Sequence, residues 1–345
     1  MRYVRHRFSI ASVCLAVAPI LVLLRLHLFL GRSPRAFAVV GQGWLGRQTQ
    51  KKKELSFQTP AFDGTKLSRN GKSMLKKIQA AEGWWQVAVL LRQYNGTEIQ
   101  VFNAAMYKAL RLGKHNEGAE VYERACSLNV SKQSATFTAA MTIQSRLGNA
   151  DAVRLIWGEA MSTCGLDAII ASARIRAAAE EGDVIGAATV LDDMKRSGVD
   201  VDIGHVTSAI RACGAAGGQN HNAAKYFFYS VLPEFKLQPN IITMNCFVAA
   251  LRGAPLGDIL AAGEAMTGWN IKPDRVFIDT LLATVLRKRP QERWSSAKQV
   301  ADHVRRQEES RIAAARDALQ EYKAQGIRLS RFAVLVDDGL RLLGE

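Results

Sequence analysis

The sequence predicts an all-α protein, an α-solenoid of stacked helix-turn-helix repeats. A fixed period and a repeated way of ending helices carry that expectation. Gly113, Gly148, Gly182 and Gly217 are spaced by 35, 34 and 35 residues, and a period of about 30 to 40 residues marks a helical array. Each glycine closes an amphipathic stretch (FNAAMYKALRLG, FTAAMTIQSRLG, ASARIRAAAEEG, VTSAIRACGAAG) with apolar or small residues at helical spacing, as at Phe102, Ala105, Met106 and Leu110. A second helical stretch follows in each unit. Most copies end on Asn129, Gly165, Gly198 or Asn270, followed by Val130, Leu166, Val199 or Ile271. A left-handed residue and then an apolar one is the signature of a Schellman-type end, in which the apolar side chain folds back onto the last turn.

In order along the chain, residues 1–30 have the dimensions of a signal peptide. Arg2, Arg5 and Arg7 precede the apolar run SVCLAVAPILVLL, which is too short to cross a bilayer and is closed by Arg25 and His27. Residues 31–64 are basic and poor in acids, the composition of a transit peptide. Units are expected at about 65–98, 99–133, 134–167, 168–202, 203–240 and 241–274, with a longer, less regular one after them. The repeats thus fill 65–308. Residues 309–345 are expected to close the stack with a long helix ending at Gly326 and a final helix from Phe332 to Leu343. No unit holds enough apolar surface to fold alone, so stacking supplies the core.

Charge and cysteine usage bound the function. The net charge is +15, but residues 1–77 carry 15 Lys/Arg against Glu54 and Asp63 alone, so 13 of those charges lie there and the repeats are nearly neutral. Nucleic-acid binding therefore cannot be argued from net charge. The five cysteines form no CxxC pair, and six scattered histidines form no HExxH, which argues against a metal or cofactor site. Asn95-Gly-Thr and Asn129-Val-Ser fit the glycosylation sequon. Gly41, Gly43 and Gly46 fit GxGxxG, but neither an amphipathic helix nor βαβ alternation follows. A nucleophile elbow, a Walker loop and paired catalytic carboxylates are likewise missing from the sequence, so neither an enzyme nor a small-molecule substrate is expected.

The recurring details resemble the pentatricopeptide repeat family. They are an aromatic or aliphatic residue followed by Asn or Thr (Phe102-Asn103, Phe137-Thr138, Val206-Thr207, Met244-Asn245), the mid-repeat Gly, and the Pro-Asn or Pro-Asp ending seen in FKLQPNIITMNCFVAAL and GWNIKPDRVFIDTLL. The tetratricopeptide set of Trp, Leu-Gly and Tyr in the first helix is missing. SPRAFAVV around Phe37 resembles the start of the transit portion of two-part leaders in algae with complex plastids. The resemblance implies a plastid protein, with a mitochondrion or a membrane anchor through residues 12–30 as alternatives.

Family members bind single-stranded RNA one base per repeat, reading each base with a polar residue of the first helix and the last residue of the repeat. Carried over by position, the pairs are Asn103 with Gln133, Thr138 with Asp167, Ser172 with Asp202, Thr207 with Asn240, and Asn245 with Asp274. Asp279 begins a sixth. Ile169, Ile242 and Val276 stand where the family wedges an aliphatic side chain against a base, whereas Gln100, Ala135 and Gly204 depart from that habit. A carboxylate only accepts hydrogen bonds and suits the ring N–H of guanine or uracil; an Asn can also donate to the bare ring nitrogen of adenine or cytosine. The family's pairing habits then imply a motif near GGAU. The same residues also fit ordinary roles, as polar residues of N-terminal turns and as helix N-caps, for which Asp is a preferred residue. Trp84 and Trp85 are expected in the packing, and Lys195-Arg196 and Arg287-Lys288-Arg289 are candidates for phosphate contacts. The competing function is a protein-binding solenoid, since concave helical arrays bind peptides as readily as RNA.

Overall fold

The structure, a computed structural model, describes residues 67–217 and 219–343. The leader segments and the GxGxxG stretch lie outside these residues. Among the described residues every regular element is helical. The first helices of successive hairpins are α1 (Arg69–Ala80), α3 (Ile99–Leu112), α5 (Ser134–Arg146), α7 (Ala168–Glu181), α9 (Ile203–Ala215), α11 (Ile241–Ala250) and α13 (Arg275–Val285). The second helices are α2 (Trp84–Gln93), α4 (His115–Ser127), α6 (Ala150–Thr163), α8 (Val184–Arg196), α10 (His221–Tyr226) and α12 (Leu256–Gly268). A π-helical turn at Phe227–Val231 and a last turn at Leu232–Glu234 extend α10. Then come α14 (Ala297–Val304), α15 (Glu309–Ala324) and α16 (Arg331–Arg341).

The ends follow from the turn chemistry. Gly113, Gly148, Gly182 and Gly217 all have positive φ, as do Asn129, Gly165, Gly198 and Asn270. Behind four of the second helices an apolar residue closes the long cap bond, Leu237 N–H donating to Leu232 O at 2.9 Å behind the extended α10. Val130 N–H donates to Ala125 O at 3.2 Å, Val199 N–H to Met194 O at 2.9 Å, and Ile271 N–H to Met266 O at 2.9 Å. Lys236 and Arg287 enter the same left-handed region without a glycine or asparagine to signal it.

Each first helix packs on the next first helix in the series from α1 to α13, and each second helix from α2 to α12 packs on its own first helix and on the following one. Successive second helices make little direct contact among the described residues. The layer whose members lie closer together is the inner side of a curved stack, so the first helices line the concave face. Helix α7 shows how one element serves two neighbours. Its Ile170, Ala173 and Ala177 join the core on the N-terminal side, its Ala171, Ile175 and Ala178 join the core on the C-terminal side, and Trp157 packs against both.

Two places differ from the sequence expectation. Trp85 is 75% exposed rather than packed, because it falls on the outer face of α2 beside the buried Val87 and Leu91. The C-terminal cap is entered through the short α14, which packs on α16, and through a buried arginine that the sequence pattern does not announce. Arg311 is 1% exposed; its Nη1 donates to Val285 O at 2.9 Å and its Nη2 to Ala254 O at 3.3 Å. It thereby satisfies a carbonyl left over at the end of α13 and one just past the 3-10 turn, Leu251–Gly253, that follows α11.

The left-handed ends differ in how tightly they are held. A Cβ added at Gly182 (φ 74°) would lie 3.1 Å from Ala216 N, whereas one at Gly113 (φ 68°) would meet open space. Gly113→Ala is expected to cost about 1 kcal/mol for the left-handed conformation alone, and Gly182→Ala measurably more. Urea midpoints of the two variants check the order.

Candidate functional site

The concave face is organised by its N-caps. Asp167 accepts from Ile170 N–H at 2.7 Å, Asp202 from His205 N–H at 2.9 Å, Asn240 from Thr243 N–H at 3.0 Å, and Asp274 from Phe277 N–H at 2.7 Å. At Gln133 the backbone N–H donates to Thr136 Oγ1 at 3.2 Å. The recurring acid is therefore a helix cap, as its residue type allows. Capping uses one oxygen. The Asp202 side chain remains 70% exposed, and Asn240 and Asp274 are also exposed.

Counting from each cap places the other predicted residues in two rows. Two positions on stand Ile169, Ile242 and Val276, exposed by 50%, 63% and 41%. Aliphatic side chains at one register, left in solvent while their helices pack elsewhere, are available to a ligand rather than to the core. Five positions on stand Asn103, Thr138, Ser172, Thr207, Asn245 and Asp279. The caps of successive first helices lie side by side, as Ser134 Oγ donating to Asp167 Oδ2 at 2.6 Å shows.

Two of the predicted pairs are joined through one side chain of the following helix. His205 places Nε2 2.8 Å from Ser172 Oγ, and its Nδ1 accepts from the Asp202 backbone N–H at 3.1 Å. Thr243 Oγ1 lies 2.8 Å from Thr207 Oγ1 and donates to Asn240 Oδ1 at 3.2 Å. At the sixth position Asp279 Oδ1 accepts from Ser330 Oγ, the cap of α16, at 2.5 Å. Burial, the largest cause, raises the Asp279 carboxyl above the ordinary carboxylate range; the Ser330 bond works against it and the Asp274 charge with it.

The remaining members of the five-on row have no such neighbour. Asn103 and Thr138 are 8% and 7% exposed, and Asn103 Oδ1, Thr138 Oγ1 and Asn245 Oδ1 are buried without a hydrogen-bond partner. The residue that bridges in the other units is here Ile170 beside Thr138 and Phe277 beside Asn245, neither of which can donate. Beside Asn103 it is Thr136, whose Oγ1 accepts from Gln133 N–H and makes no bond to Asn103 Oδ1. Other buried atoms without partners, such as Ser145 Oγ and Arg174 Nη1, share no register.

Arginines lie deeper along the same helices. Arg146 and Arg211 flank Glu180 at 3.7 Å each. Desolvation, and then the charges of Arg211 and Arg146, push the Arg176 guanidinium below its ordinary value, with Tyr107 acting the other way. These cations, four and eight residues beyond the five-on row, form the basic strip of the inner face. Sequence reasoning passed over them, although their register was readable once the five-on row was set. The basic runs chosen from the sequence carry acidic or carbonyl partners as well, as Arg146 and Arg211 do in Glu180. Lys195 pairs with Glu234, Arg196 with Asp192 and Asp193, Arg287 with Glu308, and Lys288 Nζ donates to Glu292 O at 2.6 Å.

Ser172, His205 and Asp202 touch in the order of a hydrolytic triad, yet their chemistry differs. Asp202 N–H donates to His205 Nδ1 at 3.1 Å, so Nδ1 keeps its lone pair, and the neutral ring carries its proton on Nε2 and cannot take one there from Ser172. The imidazole holds the hydroxyl without activating it. Among the described residues no cluster of His, Cys, Asp or Glu suited to a metal ion is present.

The sequence matches no protein-family model and no curated protein. In three dimensions the chain is similar to the pentatricopeptide repeat protein PPR10 from maize, with a TM-score of 0.48 at 18% identity over 76% of this chain and 35% of that one. It is also similar to PPR10 in complex with an 18-nt psaJ RNA element, with a TM-score of 0.39 at 14% identity over 75% of this chain and 39% of that one. The chain thus spans little more than a third of the length of these proteins.

Because the folded state holds the Asp279 proton to a higher pH than the unfolded chain does, this residue's contribution to stability falls as pH rises from the ordinary carboxylate range through the raised value. Asp279→Asn keeps an acceptor for Ser330 and removes that loss. Urea midpoints are expected to favour the variant at neutral pH and to converge with the wild type below the ordinary carboxylate range.

Proposed function

We propose that this chain is a pentatricopeptide-type protein that binds single-stranded RNA along its concave face, one base per unit, without catalysing chemistry itself. The observation that carries this reading is the set of unpartnered buried atoms at one register: Asn103 Oδ1, Thr138 Oγ1 and Asn245 Oδ1. A buried polar atom without a partner costs about 1–3 kcal/mol, and three at the same position of their repeats, in two neighbouring units and in one set apart from them by two others, are hydrogen bonds left for a ligand to make. Base edges bring donors and acceptors at regular intervals along a strand. The exposed Ile169, Ile242 and Val276 beside this row suit insertion between bases, and Arg146, Arg176 and Arg211 suit phosphates.

The cationic strip favours a polyanion over a neutral peptide, which is why RNA stands ahead of the protein-binding scaffold. The leader suggests a plastid, where such a protein would act in processing, stabilisation or translation of a transcript. The mitochondrion and an anchor through residues 12–30 are the other destinations that the leader allows.

Selection from a randomised pool of single-stranded RNA on the purified protein tests this function. The expected result is enrichment of a short motif near GGAU that is lost with Asp202→Ala or Asn245→Ala. No retention above background would turn the search to protein partners.

A further inference from the structure

We infer that His205 and Thr243, each the third residue of the following first helix, set the polarity of the neighbouring hydroxyl, so that Ser172 meets a base as a donor and Thr207 as an acceptor. The inference rests on the RNA-binding reading above and goes beyond it, by assigning specificity to two residues outside the predicted pairs. His205 is 3% exposed and Thr243 is fully buried.

The assignment follows from where protons can go. At His205, Nε2 faces Ser172 Oγ at 2.8 Å and Ala168 O at 3.4 Å. Asp202 N–H donates to Nδ1 at 3.1 Å, so Nδ1 keeps its lone pair and the proton of the neutral ring lies on Nε2. Ser172 Oγ therefore accepts from the imidazole, and its own proton is left for the groove. Asp202, capping with Oδ1, offers Oδ2 as an acceptor beside it.

The next unit runs the other way. Asn240 must point its oxygen at Thr243, because Thr243 N–H donates to it at 3.0 Å, and this fixes the orientation of the amide. Thr243 Oγ1 also donates to that oxygen, at 3.2 Å. With its proton committed there, Thr243 can only accept at Oγ1 from Thr207, 2.8 Å away. Thr207 is left with lone pairs toward the groove, and the Asn240 amide with N–H donors.

A donor hydroxyl beside an accepting carboxylate matches a keto group next to a ring N–H, the edge of guanine or uracil. An accepting hydroxyl beside an amide donor matches an amino group next to a bare ring nitrogen, the edge of adenine or cytosine. Two chemically similar side chains, Ser172 and Thr207, are thereby set to opposite bases by residues buried behind them.

Removing the bridge at His205 should reverse the serine. In His205→Val nothing donates to Ser172, and Ala168 O is free to capture the serine proton four residues along the helix, which turns the lone pairs outward. His205→Gln keeps an N–H at that place. The test is a ratio of affinities measured on one protein preparation, so that the folded fraction cancels. Synthetic GGAU RNA is compared with GAAU for the Ser172 unit and with GGGU for the Thr207 unit. The wild type is expected to prefer guanine at the second position by about tenfold, His205→Val to lose that preference while keeping the one at the third position, and His205→Gln to retain both. Thr243→Val should lose only the preference at the third position. If His205→Val binds RNA with an unchanged ratio, the proton assignment is wrong and the RNA-binding reading stands. If the wild type binds none of the three RNAs, both fall.

Discussion

The N-terminus of each first helix has to be capped, and the rest of this structure depends on how that is done. A helix start leaves backbone N–H groups without partners inside the helix, and here Asp167, Asp202, Asn240 and Asp274 each supply one oxygen to such a group. That bond fixes the side chain at the rim of the concave face. It also sets the rotation of the helix behind it, so that the residue two on faces outward and the residue five on faces the preceding helix. Capping and ligand reading are therefore compatible roles of one residue. At Asp202 and Asp274 a carboxylate has two oxygens and the cap takes one; at Asn240 the cap takes the oxygen and leaves the amide N–H groups; at Asp167 the second oxygen holds Ser134.

Stacking then decides what the five-on residue meets. Close contact between successive first helices presses the third residue of one helix against the fifth of the helix before it. Where that third residue is polar, as with His205 and Thr243, the hydroxyl of the earlier helix is held; where it is apolar, as with Ile170 and Phe277, a polar atom is left without a partner. Polarity at a buried, seemingly structural position thus shapes the exposed surface of the neighbouring unit. It also separates holding from catalysis at Ser172, where Asp202 N–H occupies His205 Nδ1 and leaves the ring proton on Nε2, facing the hydroxyl.

The fold was legible because its signals are local and repeated. Left-handed ends at Gly113, Gly148, Gly182 and Gly217 need only their own turn chemistry, and so do the Schellman closures at Val130, Val199 and Ile271. The rows of the candidate site were legible for the same reason, since a cap at Asp202 places Thr207 by helix periodicity alone. What escaped were contacts between units. His205 and Thr243 act on residues more than thirty positions earlier, and Arg311 reaches the ends of two helices at once. The inner arginines escaped because charge was judged by runs along the chain. Arg146, Arg176 and Arg211 stand apart in sequence and meet only when the first helices stack.

The central claim is that Asn103, Thr138 and Asn245 keep polar atoms unsatisfied because a ligand satisfies them. A triple variant, Asn103→Leu, Thr138→Val and Asn245→Leu, followed by thermal melting with and without GGAU RNA, tests it most directly. The account predicts opposite signs: the free variant melts higher than the wild type, since each buried orphan is removed, and the RNA-induced rise in melting temperature disappears. A free variant that melts lower while its RNA-induced rise stays intact would contradict the account, because these side chains would then be serving the fold and not the groove.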